Sequence, residues 1–199
     1  MATISITAMK NVALFDLIQL PTERLVLRPL KSTDAQALFD VYSDPKVMRH
    51  WSGAAWDSLE QAQQKIVQYD KALRENESIG LGIFNTHTNT VIGTCSLFQL
   101  DQQCRRAEIG YGMASTSWGK GYMHEALTAL IKFGFDVLDL NRIEADIDPR
   151  NLASLRSVER LGFIKEGYLR ERWIVEGEVS DTSLYGLLRS DWLGTSKPG

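Results

Sequence analysis

The stretch from Arg106 to Leu138 constrains the fold more than any other part of the chain. Arg106–Ala114 reads as a strand, and Ser115–Gly121 is a turn holding Gly119 and Gly121. Met123, Leu127, Leu130, Ile131, Gly134 and Leu138 then mark one face of a long amphipathic helix starting at about Lys120. Strand, glycine turn and helix in that order are the unit of an α/β sheet.

The flanking sequence extends that unit in both directions. Arg24–Arg28 alternates after the Pro21–Glu23 turn and predicts a first strand that stops at Pro29. Ser32–Asp34 offers caps for a short helix carrying Leu38, Phe39 and Tyr42, closed by Asp44-Pro45. A loop over 48–57 carries His50, Trp51 and Trp56, and helical spacing returns over Ser58–Asn76. Ile79–Phe84 and Val91–Leu100 predict two strands joined by the Asn85–Asn89 turn. Arg142–Ile147 predicts a fifth strand, and Asn151–Leu161 a helix ended by Gly162. Phe163–Val175 and Val179–Leu188 form a final pair of strands around Glu176-Gly177. The expectation is a single α/β domain: a mixed, mostly antiparallel sheet of six to seven strands flanked by about four helices.

Composition narrows the class further. The 199 residues are 24% charged and 44% apolar with net charge −3, which excludes disorder and a disulfide-dense scaffold. Mild acidity argues against DNA, whose phosphates require a basic stripe, and suits a cationic or neutral partner. Cys95 and Cys104 make neither a disulfide framework nor a zinc pattern and fit a reducing compartment. No run of 18 apolar residues exists, so no membrane span is expected. Met1–Leu20, interrupted by Asp16 and Gln19, makes a poor signal peptide. The expected compartment is therefore the cytoplasm.

Chemistry concentrates at the glycine turn. A helix N-terminus presents unpaired N–H groups and a partial positive charge that binds phosphate, and Gly119 and Gly121 let a ligand approach the backbone. Lys120 adds a cation. The same residues also fit an ordinary glycine-punctuated β–α turn. No P-loop string exists, and His124 occupies the third small position of a dinucleotide fingerprint. Thr128 stands where a zincin helix needs its second histidine, so no metal is expected.

Trp118-Gly119-Lys120-Gly121-Tyr122-Met123, followed by Glu125-Ala126-Leu127, resembles motif A of the GNAT superfamily of N-acetyltransferases. Ser117 or Trp118 replaces the usual Gln or Arg, and Met123 a usual Gly or Ala. Thr22–Pro29, Ala107–Tyr111 and Asn151 with Ser154 leading into Glu159–Phe163 are similar to the RimJ/RimL branch, the ribosomal-protein N-terminal acetyltransferases. The resemblance implies a GNAT domain over 21–192, between an N-terminal extension, 1–20, and a tail, 193–199. It implies acetyl-CoA as donor, held by Met113, Trp118, Gly119, Lys120, Gly121, Tyr122, Met123, Asn151 and Ser154. Pantetheine would run where strand 106–114 and the fifth strand splay, with the N–H near Met113 polarising the thioester carbonyl and Asn151 bonding the pantetheine arm.

Glu108 is the candidate base and Ser154 a candidate proton donor to the leaving thiolate; the alternatives are an ion-paired strand residue and a helix cap. Val158 stands where many members of the superfamily carry a tyrosine acid. His50, Trp51 and Trp56 would rim the acceptor site or plug the core, and Tyr111 packs in the sheet or lines the cofactor cleft. Glu144, Asp146 and Asp148 form either a negative lip or a solvated strand edge. Cys95 fits a buried strand cysteine better than a nucleophile. The implied acceptor is a primary amine, foremost a protein's N-terminal α-amine. A small amine (antibiotic, amino-acid analogue or polyamine) and a non-catalytic acetyl-CoA-binding module remain as alternatives, and the protein would be a monomer or homodimer.

Overall fold

The computed structural model describes residues 18–195; most of the expected N-terminal extension and the last four residues of the expected tail lie outside them. One sheet carries eight strands: β1 (Leu20–Pro21), β2 (Leu25–Arg28), β3 (Ile79–Asn85), β4 (Val91–Asp101), β5 (Arg106–Met113), β6 (Arg142–Ile147), β7 (Ile164–Val175) and β8 (Glu178–Leu188). Their spatial order is β1-β2-β3-β4-β5-β6-β8-β7. Every neighbouring pair is antiparallel except β5 and β6.

Among the described residues six α-helices accompany the sheet: α1 (Ala35–Tyr42), α2 (Pro45–Met48), α3 (Leu59–Arg74), α4 (Tyr122–Asp136), α5 (Leu152–Arg160) and α6 (Arg189–Thr195). The architecture is the expected one, with one more strand and two more helices. The additions are the two-residue β1, the one-turn α2 and the C-terminal α6, all too short for a periodic pattern. Asp44-Pro45 does two jobs: it follows the end of α1, and it starts α2, where Asp44 Oδ1 accepts from Lys46 N–H at 2.9 Å. Among the described residues no helix is long and apolar enough to cross a membrane.

Period-two alternation divides the sheet into two faces. Ile79, Leu81 and Ile83 of β3, Cys95 and Leu97 of β4, Ala107 and Ile109 of β5 and Ile143 and Ala145 of β6 share one core with Leu127, Leu130 and Ile131 of α4 and Val158 of α5. The other face is covered at the β2–β4 end by α1, α2 and α3, whose core includes Leu38, Val47, Ile66 and Phe84. Strands β5 and β6 present Glu108, Gly110, Glu144 and Asp146 on that second face. The site is built there.

Candidate active site

Strands β5 and β6 pair for only three residues, Arg106↔Arg142, Ala107↔Ile143 and Glu108↔Glu144, and diverge beyond them. The divergence opens a cleft of about 910 Å³. Glu108, Tyr111, Asp146, Asn151, Ser154 and His50 all line it. Because the gap passes between two strands, it admits side chains from both faces of the sheet, which separates Glu108 from Tyr111 and Ser154 by approach but not by location.

Glu108 sits at the last paired position, where the two strands part. Burial, followed by the negative charges of Asp146 and Glu144, pushes its pKa up to about 7, against the opposing pull of Arg172 and Arg106. A carboxyl poised near neutrality in a cleft has the property a general base needs.

On the opposite wall Tyr111 Oη lies 2.6 Å from Ser154 Oγ. Burial pushes the Tyr111 phenol up to about 12, outweighing the opposing effect of its bond to Ser154. It stays protonated at neutral pH, and in its hydrogen bond with Ser154 either hydroxyl can be the donor. The sequence left this tyrosine between packing and cleft lining; its pairing with Ser154 spans 43 positions, which no local pattern reveals. The N-cap of α5 is Asn151, whose Oδ1 accepts from Ser154 N–H at 3.1 Å. The capping duty thus falls on Asn151 and leaves the Ser154 hydroxyl facing Tyr111.

The glycine turn has the expected form. Gly119 and Gly121 have φ of +73° and +78°, in the left-handed region, and a Cβ at Gly119 would meet nothing within 4 Å, so the backbone is open from outside. Gly121 is the N-cap of α4. Glu125, in the first turn of α4, anchors this end to the start of the sheet: it accepts from Thr22 Oγ1 at 2.6 Å, Arg24 N–H at 2.7 Å and Arg24 Nε at 2.7 Å. Arg24 also donates to the Lys120 carbonyl at 2.9 Å and lies over the Tyr122 ring. Lys120 Nζ folds back to the Thr116 carbonyl at 2.9 Å. Exposed N–H groups, an open glycine backbone and two cations suit a pyrophosphate.

Met113 is oriented by strand alternation. Ala114 N–H donates to the Ile92 carbonyl at 2.9 Å, which turns the Met113 main chain toward the opposite edge, the one β6 has left. The exposed Trp118 indole holds the Met113 carbonyl at 2.7 Å. A Gly121→Val substitution would place a β-branched residue at φ +78° with its Cβ 3.4 Å from Arg24 Nη2. That strain should lower acetyl-CoA affinity by about tenfold or more in calorimetry; unchanged affinity would remove the turn from the phosphate site.

The remaining candidates divide. His50 and Trp51 line the cleft, whereas Trp56, like Met113 and residues 118–123, is not part of its wall. Both tryptophans pack on Tyr42, with ring centroids 5.2 Å and 4.9 Å away. His50 Nδ1 lies 3.6 Å from Asp148 Oδ2. Burial opposes ionisation of Asp148, but Arg150 and then His50 outweigh it and hold that carboxyl below its usual range. Cys95 lies fully buried against α4, and burial drives its thiol pKa well up. Val158 is likewise core.

Residues 24–164 match the family model of the acetyltransferase (GNAT) domain. The chain is 37% identical over 173 residues to the uncharacterised N-acetyltransferase p20 of Bacillus licheniformis, covering 87% of this chain and 97% of that one. It is 28% identical over 180 residues to the ribosomal protein uS5-alanine N-acetyltransferase of Escherichia coli (strain K12), covering 88% and 93%. Among solved structures, the ribosomal-protein-S5-alanine acetyltransferase from Vibrio fischeri matches with a TM-score of 0.76 at 25% identity, covering 91% of this chain and 100% of that one.

Proposed function

The chain belongs to the GNAT acetyltransferase family, and from that premise we propose that it acetylates the N-terminal α-amine of a protein, of the ribosomal-protein type, by direct attack in a ternary complex. It is an N-acetyltransferase, and acetyl-CoA is its co-substrate, which supplies an activated acetyl thioester. In this reading the backbone of 119–123 with Lys120 holds the pyrophosphate, and the Met113 N–H meets the acyl oxygen where β6 leaves β5. Asn151 lies beside the pantetheine path, and His50 and Trp51 belong to the acceptor side, with Trp56 packed outside the cleft wall on Tyr42. Ser154, hydrogen-bonded to Tyr111, supplies the proton to the departing sulfur and is reprotonated by the second proton that the attacking nitrogen sheds.

The observation that supports the α-amine is the Glu108 carboxyl at about 7. An α-amine with pKa near 8 yields its proton to such a base at a cost of about 1.4 kcal/mol, whereas a lysine near 10.4 costs about 4.6 kcal/mol. The base is matched to the first acceptor and poorly to the second. An acceptor of this kind also fits a cytoplasmic enzyme. Glu108, Asp146, Asp148, Glu176 and Glu178 around the cleft would also attract a small polyamine, which makes that the second reading.

Thiol release from acetyl-CoA over a panel of peptides with free N-termini, spermidine and an aminoglycoside separates the readings. Peptides should accelerate release most. If only the free small amines do so, the protein acceptor is excluded. If no amine accelerates release although acetyl-CoA binds, the catalytic reading fails.

A further inference from the structure

Asp146 lies on β6 two residues beyond Glu144, the residue paired with Glu108, and so occupies the same face of the sheet diagonally from Glu108. Its side chain is only 10% exposed. Oδ1 accepts from Thr182 Oγ1 at 2.6 Å and from Trp173 Nε1 at 3.1 Å. Thr182 is fully buried and Trp173 is exposed at the surface, so one donor holds the carboxylate from the interior and the other from the outer strand.

The charges facing Glu108 come from several elements. Arg106 is on its own strand, Glu144 and Asp146 are on β6, and Arg172 is on β7. Asp148 and Arg150 from the β6–α5 loop, Arg49 and His50 from the segment after α2, Lys65 from α3, and Glu176 and Glu178 from the β7–β8 hairpin also line the cleft. Most of the negative groups are neutralised at close range. Glu144 takes Arg106 Nη1 at 2.9 Å and Arg142 Nε at 2.7 Å, Asp148 takes Arg150 Nη2 at 2.6 Å, and Glu178 is bonded to Arg150. Asp146 differs: its close donors are neutral, and its nearest guanidinium, Arg172 Nε, stands 3.8 Å away. Its ion pair with Arg172 is longer than those that hold Glu144 and Asp148.

We propose that Asp146, clamped by Thr182 and Trp173, is the positioning residue that makes Glu108 the proton acceptor of the reaction, with Arg172 as the counterweight. This rests on the reading of Glu108 as base. In the step it assists, an N–H bond of the acceptor ammonium breaks as an O–H bond forms on Glu108. The freed nitrogen pair then attacks, and Glu108 later returns its proton to solvent. A fixed negative charge beside Glu108 makes its carboxylate hold that proton more strongly. Burial gives the larger part of this effect, and the Asp146 charge adds more to it than that of Glu144.

The test is a titration of the Glu108 carboxyl by carbon-13 NMR together with the pH profile of kcat/KM, on the full chain with a peptide acceptor. Asp146→Asn keeps the acceptor oxygen for Thr182 and Trp173 and removes only charge. It should move the Glu108 midpoint and the acid limb of the profile down together, by about one pH unit. At pH 6 the variant should then be faster than wild type, by roughly fivefold, because more of Glu108 is ionised; a structural defect would not produce that gain. Asp146→Glu should restore the wild-type limb. Arg172→Gln, at a half-exposed position, should move both readouts up, which keeps the inference testable if Asp146→Asn folds badly. The acceptor's own amine titrates identically in every variant and cancels in the comparison. A Glu108 midpoint that stays in place in Asp146→Asn, or that moves the same way in both variants, overturns the inference whatever the rates do. A midpoint that moves while the acid limb stays fixed overturns instead the reading of Glu108 as base.

Discussion

Glu108→Gln should lower kcat/KM for a peptide acceptor near neutral pH by about 10²–10⁴-fold, the range lost with a positioned general base. Glutamine keeps the shape of the side chain and removes its capacity to take a proton. Acetyl-CoA affinity should hold, because the glycine turn and α4 N-terminus that take its pyrophosphate lie away from Glu108, and the pantetheine neighbours Asn151 and Ser154 are left intact. Stability should hold or rise, since the charge removed is half-buried and faces two other carboxylates, Asp146 and Glu144. The pH profile carries the sign: a base acts when ionised, so wild-type activity should climb with pH through about 7, the value to which Glu108 is raised. Glu108→Gln should lack that limb. Rates and profile unchanged from wild type would exclude Glu108 as base, and a fall in acetyl-CoA affinity would reassign it to cofactor binding.

A larger structural penalty is expected at Gly93, in β4 opposite Met113. A Cβ there would lie 2.3 Å from the Gly112 carbonyl oxygen and 3.0 Å from Met113 Cα. Both neighbours are backbone, and neither can rotate away as a flexible side chain would. Gly93→Ala should therefore separate β4 from β5, at a cost of about 3 kcal/mol or more, comparable to severe overpacking. Urea unfolding followed by circular dichroism measures it directly. The displaced strand is also the one that presents the Met113 N–H to the gap, so surviving folded protein should turn over more slowly. An unchanged urea midpoint would show that β5 moves freely there.

Local regularities were legible in the chain, and distant meetings were not. Alternation over Arg142–Ile147 and the helical spacing over Ser58–Asn76 correspond to β6 and α3 because each pattern repeats within its own element. The glycine turn was legible for the same reason: positive φ at Gly119 and Gly121 is a local demand. The two-residue β1 and one-turn α2 hold too few residues to show any period. The Glu125 anchor joins positions 101 and 103 residues apart, and Tyr111 finds Ser154 across a strand divergence that only the register of β5 and β6 reveals. Glu108 could be singled out from its motif, whereas the groups that tune it, Asp146, Glu144 and Arg172, come from β6 and β7. Asp146 in isolation looked more like a solvated strand edge than a lip; in the fold β8 pairs with β6 and Trp173 bonds its carboxylate.

One peptide decides the central claim most directly. It carries a free N-terminal α-amine and an internal lysine, is incubated with the enzyme and acetyl-CoA near neutral pH, and is mapped by fragmentation mass spectrometry. A base near 7 and an α-amine near 8 predict acetyl on the N-terminus alone. Acetyl on the lysine, or none on a peptide under conditions where spermidine is acetylated, would contradict it.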